Sequence, residues 1–416
     1  MPTRALPAPR TPDPMAAPAL RWGVLAPGFI AHKFADALRR GTRQEIVAVG
    51  SRTLDRARAS AEEFGAAAAY GSYEELVADP AVDIVYVASP HSEHHRQGRL
   101  ALEAGKPVLV EKAFTRNATE ARDLVDLARA KNLFLLEAMW SRFLPHYDVI
   151  DQTLQNGLIG DVTTVFADHG QHLYPGGPER LSRPDLAGGA LLDLGVYPIS
   201  FAAFVLGAFT SITAAGALTE QGVDSQETVA VANRVGAQGV LHASMLAASP
   251  CTASICGTKG RLDAGGVFYA PTWVRLHDRD GAVLDQYDAT GDVAHQGLRY
   301  EAAEAARCLA AGHTESPLLP LADTLAVMEA MDAVRAQLGV RFPDEQAGPA
   351  QVRTTSNRVN GTGPPPSGIV TDGRGPGVGM DSGWTGRVSS RAARGDRLRS
   401  TGPARAGRSR PGGRRR

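Results

Sequence analysis

Short apolar runs alternate with amphipathic stretches over the first third of the chain. Five runs predict buried strands: WGVLA (22–26), EIVAVG (45–50), DIVYVA (83–88), PVLV (107–110) and LFLL (133–136). The stretches between them have apolar positions at helical spacing: FIAHKFADALRR (29–40), LDRARASAEEF (54–64), SEHHRQGRLALEAG (92–105) and NATEARDLVDLARAKN (117–132). Strands that alternate with helices are typical of a parallel sheet with helices on both faces. We therefore predict a doubly wound α/β domain over residues 21–137.

The pattern changes after residue 137. Glycines become frequent, and the strand-like runs alternate between apolar and polar residues: VTTVFADH (162–169), SITAAGAL (211–218), TVAVANRV (228–235), GVLHASML (239–246) and TWVRLHD (272–278). Residues 321–339 have apolar positions at helical spacing and a glycine at the end, which predicts a closing helix. We predict a second domain of the α+β class over residues 138–346, with a mostly antiparallel open sheet.

The two ends of the chain differ from the rest. Residues 1–20 are rich in proline and lack the apolar core of a signal peptide, so we expect a disordered extension there. Met15 is an alternative start of translation, because the first strand begins only seven residues later. Residues 347–416 contain 15 Gly and 7 Pro with almost no apolar periodicity. Such a segment buries too little apolar surface to offset its ordering entropy, so we expect a disordered tail.

The formal net charge of zero conceals an asymmetry between these regions. The last 70 residues hold 14 Arg against three Asp, a net of +11, and residues 1–346 therefore carry −11. A flexible basic arm attracts nucleic-acid phosphates. Trp384 is its only aromatic residue, however, so no stacking pattern accompanies the charge. We favour a shifted reading frame or a mis-assigned end over a nucleic-acid-binding arm.

The composition excludes several classes of protein. Of the 416 residues, 43% are hydrophobic and 21% charged, and no apolar run approaches the ~20 residues of a membrane span. Three cysteines are too few for a disulfide framework, and no pair of CxxC motifs indicates structural zinc. We predict a cytoplasmic protein that does not associate with a membrane.

The first strand is followed by a loop of the kind that binds a dinucleotide. In Rossmann domains the pyrophosphate lies on the N–H groups that open the first helix. The predicted contacts are Ala26, Pro27, Gly28, Phe29 and Ile30. Ala26 occupies the place of the first glycine of the usual motif, so a purely structural strand-to-helix turn is the alternative.

The end of the second strand bears on the choice of cofactor. An NAD enzyme usually has a carboxylate there, about 20 residues beyond the loop, for the ribose 2′-hydroxyl. This sequence has Ser51 and Arg52 instead. An arginine pairs with a 2′-phosphate, which favours NADP, with NAD as the second choice. A solvent-facing arginine in a loop is the structural alternative.

A histidine-rich segment follows the third predicted strand. Ser89 and His91 lie at the carboxyl edge of the sheet, where α/β domains bind ligands, and we expect them to border the nicotinamide. His91, His94 and His95 also invite a metal site. No carboxylate completes an HExxH pattern, so we predict no metal.

Three residues, Lys112, Asp193 and Tyr197, have side chains suited to proton transfer. Lys112 follows a buried strand beside Glu111, which predicts an ammonium in the cleft that donates to a substrate hydroxyl. Asp193 and Tyr197 are four residues apart and share one face of an irregular helix. A carboxylate, a phenol and a lysine suit alcohol–carbonyl interconversion. The alternatives are a surface Glu–Lys pair and a core tyrosine.

Several motifs resemble the glucose-fructose oxidoreductase and inositol dehydrogenase (Gfo/Idh/MocA) family, specifically its branch of dimeric dihydrodiol dehydrogenases and NADP-dependent D-xylose dehydrogenases. The similarity covers residues 21–345. It rests on the glycine loop and on SPHSEHH (89–95), AGKPVLVEKAF (104–114), LLEAMWSRFLP (135–145), GGALLDLGVYPI (188–199), ICGTKGRL (255–262) and SPLLPLADTLAVMEAMD (316–332).

The resemblance implies roles for particular residues. Tyr197 would be the acid/base, Lys112 its polarising partner, and Asp193 the family aspartate. The loop from Ala26 to Ala31, with Ser51, Arg52, His91 and Glu111, would contact the cofactor, and Lys112 would border it. Trp140, Arg142 and Phe143 would lie near the substrate. The family also implies a homodimer that pairs through the open face of the second sheet.

One departure from the family pattern concerns the lysine. Ala113 replaces the proline that follows it, and in relatives this proline often follows a cis bond. A cis bond before a residue other than proline costs ~3–4 kcal/mol, so we predict a trans or strained peptide between Lys112 and Ala113.

These observations predict an NAD(P)-dependent oxidoreductase that acts on the CH–OH group of a sugar or a trans-dihydrodiol. The alternative is a non-catalytic NADP-binding sensor that keeps the fold without turnover, and Ala113 is its only support in the sequence.

Overall fold

The computed structural model describes residues 5–289, 294–343 and 345. Its contacts divide the chain at residue 348, and the segment beyond that point, with the predicted disordered tail, lies outside the described residues. Residues 1–348 form one unit built around two sheets.

The first sheet has six parallel strands in the order β3-β2-β1-β4-β5-β6. Their bounds are β1 Arg21–Leu25, β2 Glu45–Gly50, β3 Ala68–Tyr70, β4 Ile84–Val87, β5 Val108–Glu111 and β6 Leu135–Ala138. This is the strand order of a Rossmann domain, and it confirms the predicted fold class. Five of the six strands were predicted. The short edge strand β3, with two alanines, has too little apolar pattern to be seen.

Five helices cover this sheet: α1 Phe29–Gly41, α2 Leu54–Phe64, α3 Tyr73–Val77, α4 His91–Glu103 and α5 Ala118–Lys131. Three of them, α1, α2 and α5, begin and end within one residue of their predicted bounds, and α4 ends two residues before its predicted end. Asn117 caps α5 by accepting a hydrogen bond from the Glu120 N–H at 2.9 Å, and Asn132 closes the helix in the left-handed conformation. The helices place apolar residues on the central strands, where Val85, Leu109 and Leu136 are fully buried.

The second sheet has eight strands in the order β14-β13-β12-β11-β7-β10-β9-β8. They are β7 Val162–Gly170, β8 Phe209–Leu218, β9 Asp224–Asn233, β10 Gln238–Ser244, β11 Ala253–Gly257, β12 Gly260–Ala264, β13 Trp273–His277 and β14 Val283–Asp288. Only β7 and β10 pair in parallel, so the sheet is mostly antiparallel, as predicted.

Three further helices pack against this sheet: α6 Pro145–Gln155, α7 Val196–Leu206 and α9 Leu321–Leu338. A fourth, α8 Leu298–Ala310, packs against α1. The predicted closing helix is α9, which ends at Gly339 in the left-handed conformation. One apolar stretch, Pro184–Leu206, is long enough to cross a bilayer, but 78% of its most apolar window is buried inside the fold. Its apolar character therefore reflects its place in the core.

The prediction of a disordered extension over residues 1–20 is wrong for the residues that the structure describes. The Leu6 N–H donates to Asp285 on β14, and Gln152 on α6 donates to the carbonyl of Ala8. The Arg10 guanidinium lies 2.6 Å from Asp148. Charged and backbone groups thus hold this proline-rich segment, which has no helical or strand pattern to predict it. Ala17 is buried beside α8 before the chain enters β1.

Candidate active site

The glycine loop lies between β1 and α1, at the carboxyl edge of the first sheet. Ala26 has a φ of 57°, a left-handed conformation that favours glycine, and its N–H donates to the Gly50 carbonyl. Gly28 precedes α1, and no side chain caps the first N–H groups of that helix. These N–H groups are the donors that a pyrophosphate would take.

The end of β2 places two arginines near this loop. Ser51 is buried, and Arg52 is exposed with no hydrogen bond or ion pair within the described part of the chain. Arg56, which the sequence analysis did not single out, donates to the Pro27 carbonyl at 3.2 Å. An unpaired guanidinium beside a loop with free N–H groups fits the 2′-phosphate end of a dinucleotide.

Two histidines at the start of α4 link neighbouring loops. The Nδ1 of His91 lies 3.1 Å from the Ala187 carbonyl, and burial lowers the pKa of His91 to about 3. His94 lies 2.8 Å from the carbonyls of both Ala113 and Ser89. Ser89 Oγ is buried with no hydrogen-bond partner among the described residues, so the carboxyl edge of β4 has a polar atom to offer a ligand.

Glu111 and Lys112 end β5. The Tyr86 hydroxyl and the Lys112 N–H both donate to the Glu111 carboxylate, and burial raises the pKa of Glu111 to about 7. The peptide bond between Lys112 and Ala113 is cis, so the first of the two expected outcomes, a trans bond, does not occur. Ala113 is fully buried and its carbonyl accepts from His94, so the surrounding contacts hold this segment without a proline.

Lys112 reaches the other half of the molecule. Its Nζ donates to the Asp193 carbonyl at 2.7 Å and lies 3.4 Å from the Asp193 carboxylate. Arg180 Nη2 lies 3.0 Å from the same carboxylate. Burial alone would raise the pKa of Asp193, but Lys112 and Arg180 lower it below its ordinary value. Asp193 is therefore a carboxylate, held between two cations.

Tyr197 lies against this pair. Lys112 Nζ is 4.9 Å from the centre of its ring, and Trp140 Nε1 donates to its hydroxyl oxygen at 2.9 Å. Burial raises the pKa of Tyr197 well above its ordinary value. The three predicted catalytic side chains are thus brought together, with a phenol, an ammonium and a carboxylate in one corner.

An aromatic group that the sequence analysis missed surrounds Tyr197. The ring of Tyr269 stacks on it with centroids 4.1 Å apart. The Tyr269 hydroxyl and His169 Nε2 are 2.8 Å apart, and Gln171 contacts both. The sequence analysis gave none of these three residues a role in the site. No spacing in the sequence signals a partnership between residues 100 positions apart.

The three predicted substrate residues differ in where they lie. Trp140 contacts Tyr197, as described. Arg142 instead bonds the Leu318 carbonyl and Asp323 and packs over Phe204. Phe143 is a core residue. Within the described ranges, no group of three or more His, Cys, Asp or Glu side chains is placed to hold a metal ion.

Two family models match the chain. The model described as "Oxidoreductase family, NAD-binding Rossmann fold" matches residues 20–139, and that of the "GFO/IDH/MocA C-terminal domain" matches residues 147–263. Trans-1,2-dihydrobenzene-1,2-diol dehydrogenase of Xenopus laevis is 36% identical over 332 residues, covering 78% of this chain and 100% of the relative. The human enzyme of the same name is 36% identical over 335 residues, with 79% and 99% covered.

The chain belongs to the Gfo/Idh/MocA oxidoreductase family.

Solved structures share the fold of this chain. KijD10, a 3-ketoreductase from Actinomadura kijaniata solved with NADP and TDP-benzene, has a TM-score of 0.68 and 29% identity, with 77% of this chain and 98% of that chain covered. Levoglucosan dehydrogenase with NADH and levoglucosan has a TM-score of 0.70 at 20% identity, with 79% and 100% covered, and shows the shared fold alone. The chain is therefore an oxidoreductase with a Rossmann domain for NAD(P).

Proposed function

We propose that the protein is an NADP-dependent dehydrogenase that acts on the CH–OH group of a sugar or a trans-dihydrodiol. The observation that carries this proposal is the corner where Lys112, Asp193 and Tyr197 meet. The named relatives are dehydrogenases of a trans-dihydrodiol, and KijD10 is a 3-ketoreductase, which supports a substrate that interconverts between CH–OH and C=O.

The catalytic roles follow from this geometry. The nicotinamide, when bound, exchanges the hydride with the carbon that bears the hydroxyl. Lys112 Nζ donates to the substrate oxygen, and Asp193 keeps that ammonium in place. Tyr197 takes the hydroxyl proton in oxidation and returns it in reduction. The N–H of Trp140 stabilises the phenolate that takes this proton in oxidation and forms again in reduction, because it already donates to that oxygen.

Turnover of a substrate tests the proposal directly. We expect the full chain with NADP⁺ to oxidise at least one of a panel of pentoses, hexoses and trans-dihydrodiols, followed by absorbance of NADPH. In Tyr197→Phe we expect turnover to fall by about 10²- to 10⁴-fold while NADPH still binds. Tyr147→Phe, at a buried tyrosine on α6 that packs on Phe201, is the matched control.

A chain that binds NADPH but oxidises none of these substrates would be the non-catalytic sensor. The one sequence feature that supports this alternative is Ala113, which could have displaced Lys112. Lys112 nevertheless contacts Asp193 and Tyr197, so Ala113 gives the alternative little support.

The choice of NADP is supported by Arg52, and a titration tests it. We expect Arg52→Ala to weaken NADPH binding by about 10- to 100-fold, the value of a charge-assisted hydrogen bond, and to leave NADH binding unchanged. Arg58→Ala removes an equal charge from the exposed side of α2 and serves as control. Equal binding of the two cofactors by the unmodified chain would contradict the preference.

We propose a homodimer through the open face of the second sheet. Phe166 on β7 and Val240 on β10 are neighbours there and are 46% and 43% exposed. Apolar side chains on an open sheet face favour a second copy as partner. Light scattering should give twice the mass of one chain, and Phe166→Lys should halve it. A monomer at micromolar concentration would contradict the proposal.

We also propose a cytoplasmic location, since all three cysteines are free thiols, which suits a reducing compartment. Fractionation of the source cells tests this, and recovery in a membrane or secreted fraction would contradict it.

A further inference from the structure

Asp193 lies on a wide helical turn, the π-helix Leu191–Gly195, which continues directly into α7 and Tyr197. Turns of this kind are rare and occur mostly at functional sites. Two backbone carbonyls of the turn serve the site directly. That of Asp193 accepts from Lys112 Nζ at 2.7 Å, and that of Leu194 lies 3.1 Å from His169 Nδ1. The placement of this turn therefore sets the geometry of the whole corner.

The turn begins on a buried carboxylate from β9. Asp224 is 1% exposed, and its Oδ2 accepts the N–H of Leu191 at 2.5 Å. The first N–H groups of a helix have no partner within the helix, and a negative charge there also suits the helix dipole. The helix has no capping side chain of its own, and Asp224 caps it from β9.

Glu227, three residues further along β9, meets the other end of the turn. A Cβ at Gly195 would come within 2.5 Å of Glu227 Oε1, and a Cβ at Gly189 within 2.2 Å of Asp224 Oδ1. The glycines let the backbone close onto the two carboxyl groups. Glu227 is 1% exposed, and neither of its oxygens has a hydrogen-bond partner in the described part of the chain.

Burying two carboxyl groups costs free energy that a purely structural helix cap does not require. Burial raises the pKa of Asp224 to about 6, and burial together with Asp224 raises that of Glu227 well above its ordinary value. An exposed serine or asparagine would cap a helix without burying a carboxylate. The two buried carboxyl groups that contact the turn of Asp193 therefore indicate that the active site requires this turn to be held in place.

We propose that Asp224 is a positioning residue: its carboxylate fixes the start of the turn and thereby the distances from Lys112 Nζ to Asp193 and Tyr197. This inference rests on the proposed function of that corner. Asp224 touches neither substrate nor cofactor and acts through the backbone of residues 191–195. Glu227 supports it by packing against Gly195.

The test compares Asp224→Ala, Asp224→Asn and the control Ser225→Ala. Ser225 is a buried neighbour on β9 whose hydroxyl bonds the Ala217 carbonyl, away from the turn. We expect Asp224→Ala to lower kcat by about 30-fold, with KM and NADPH binding within about 3-fold, because misplacing catalytic groups by about 1 Å has effects of this size. Asp224→Asn keeps one acceptor oxygen and should recover most of the rate. Ser225→Ala should match the unmodified chain.

A second measurement does not depend on activity. The Lys112 side chain is 15% exposed and held by Asp193. Reductive methylation of Lys112, followed by mass spectrometry, should become several-fold faster in Asp224→Ala and stay unchanged in Ser225→Ala.

The outcomes separate this inference from the proposed function. A folded Asp224→Ala with unchanged kcat and unchanged methylation of Lys112 would overturn the positioning role, even if its Tm falls. If Asp224→Ala does not fold, the same two measurements are made on Asp224→Leu, which keeps the volume of the side chain but cannot accept the Leu191 N–H, and unchanged values there would overturn the positioning role. If the unmodified chain turns over no substrate, the proposed function fails, and the methylation rates still decide whether Asp224 positions the turn.

Discussion

Asp193 and Glu301 are both buried carboxyl groups, yet their surroundings differ. Asp193 lies between Lys112 and Arg180, which lower its pKa. Glu301, on α8, has no hydrogen-bond partner for either oxygen among the described residues, and burial, Glu111 and Glu137 raise its pKa well above its ordinary value.

The difference teaches what decides the charge of a buried acid here. Burial penalises both carboxylates, and only a cation within hydrogen-bond reach reverses the penalty. The cations lie at the corner with Tyr197, whereas burial raises the pKa values of Glu137 and Glu301, which have no such cation beside them among the described residues. Charge in this core is therefore concentrated where chemistry is proposed.

The largest effect should come from removing the shared cation. Lys112→Met should lower kcat/KM by about 10³-fold or more, since it takes away both the donor to the substrate oxygen and the nearest partner of Asp193. Steady-state kinetics at saturating NADP⁺ measure this. Lys106→Met, which removes a lysine bonded to the carbonyls of Asp79 and Val82, is the control. A rate within 10-fold of the unmodified chain would refute a catalytic role for Lys112.

A smaller effect should follow from neutralising the paired acid. Asp193→Asn keeps the shape but not the charge, and we expect kcat to fall by about 10- to 100-fold as Lys112 loses its orientation. Glu301→Gln changes a carboxyl group whose pKa burial raises well above its ordinary value, which favours the neutral form, and it should leave kcat within about 2-fold. Equal losses in the two variants would erase the distinction between paired and unpaired acids.

A still smaller change is expected at Arg180, whose side chain is 38% exposed. Its contribution to Asp193 is weakened by solvent, so Arg180→Gln should lower kcat/KM by about 3- to 10-fold. Added salt should reduce the difference in kcat/KM between this variant and the unmodified chain. A gap that stays constant up to 1 M salt would mean that Arg180 acts through packing.

The unpaired acids should leave catalysis alone and affect stability. Burial raises the pKa of Glu137 from 4.5 to about 7, so between those values the folded chain holds a proton that the unfolded chain has lost. Stability therefore falls as the pH rises through this window, by about 3 kcal/mol at most. Glu137→Gln should remove that slope.

Urea unfolding at pH 5 and pH 8 measures this dependence of the free energy of unfolding on pH. Thr324→Val deletes the hydroxyl that donates to Glu137 and should make the slope steeper. Identical slopes in the unmodified chain and in Glu137→Gln would show that Glu137 titrates at its ordinary value.

Much of the first domain was predictable because its order is local. Each strand and helix there carries its own apolar period, and Lys112, Ser89 and Ala26 follow directly from strand ends. The edge strand β3 lacked such a pattern. In the second domain the contacts of Tyr269 with Tyr197, and of Asp224 with Leu191, join residues far apart in the chain, and no local spacing records them.

The segment from Leu6 to Pro18 has a mechanical consequence. It is bonded in turn to β14, to α6 and, through Arg43 and Gln44, to the start of the first sheet. A pulling force applied near Leu6 would have to break these hydrogen bonds one after another before it acted on β1. Because these bonds would break one at a time, each would break at low force. In a single-molecule pulling experiment the segment should therefore detach at a lower force than the parallel sheet unfolds.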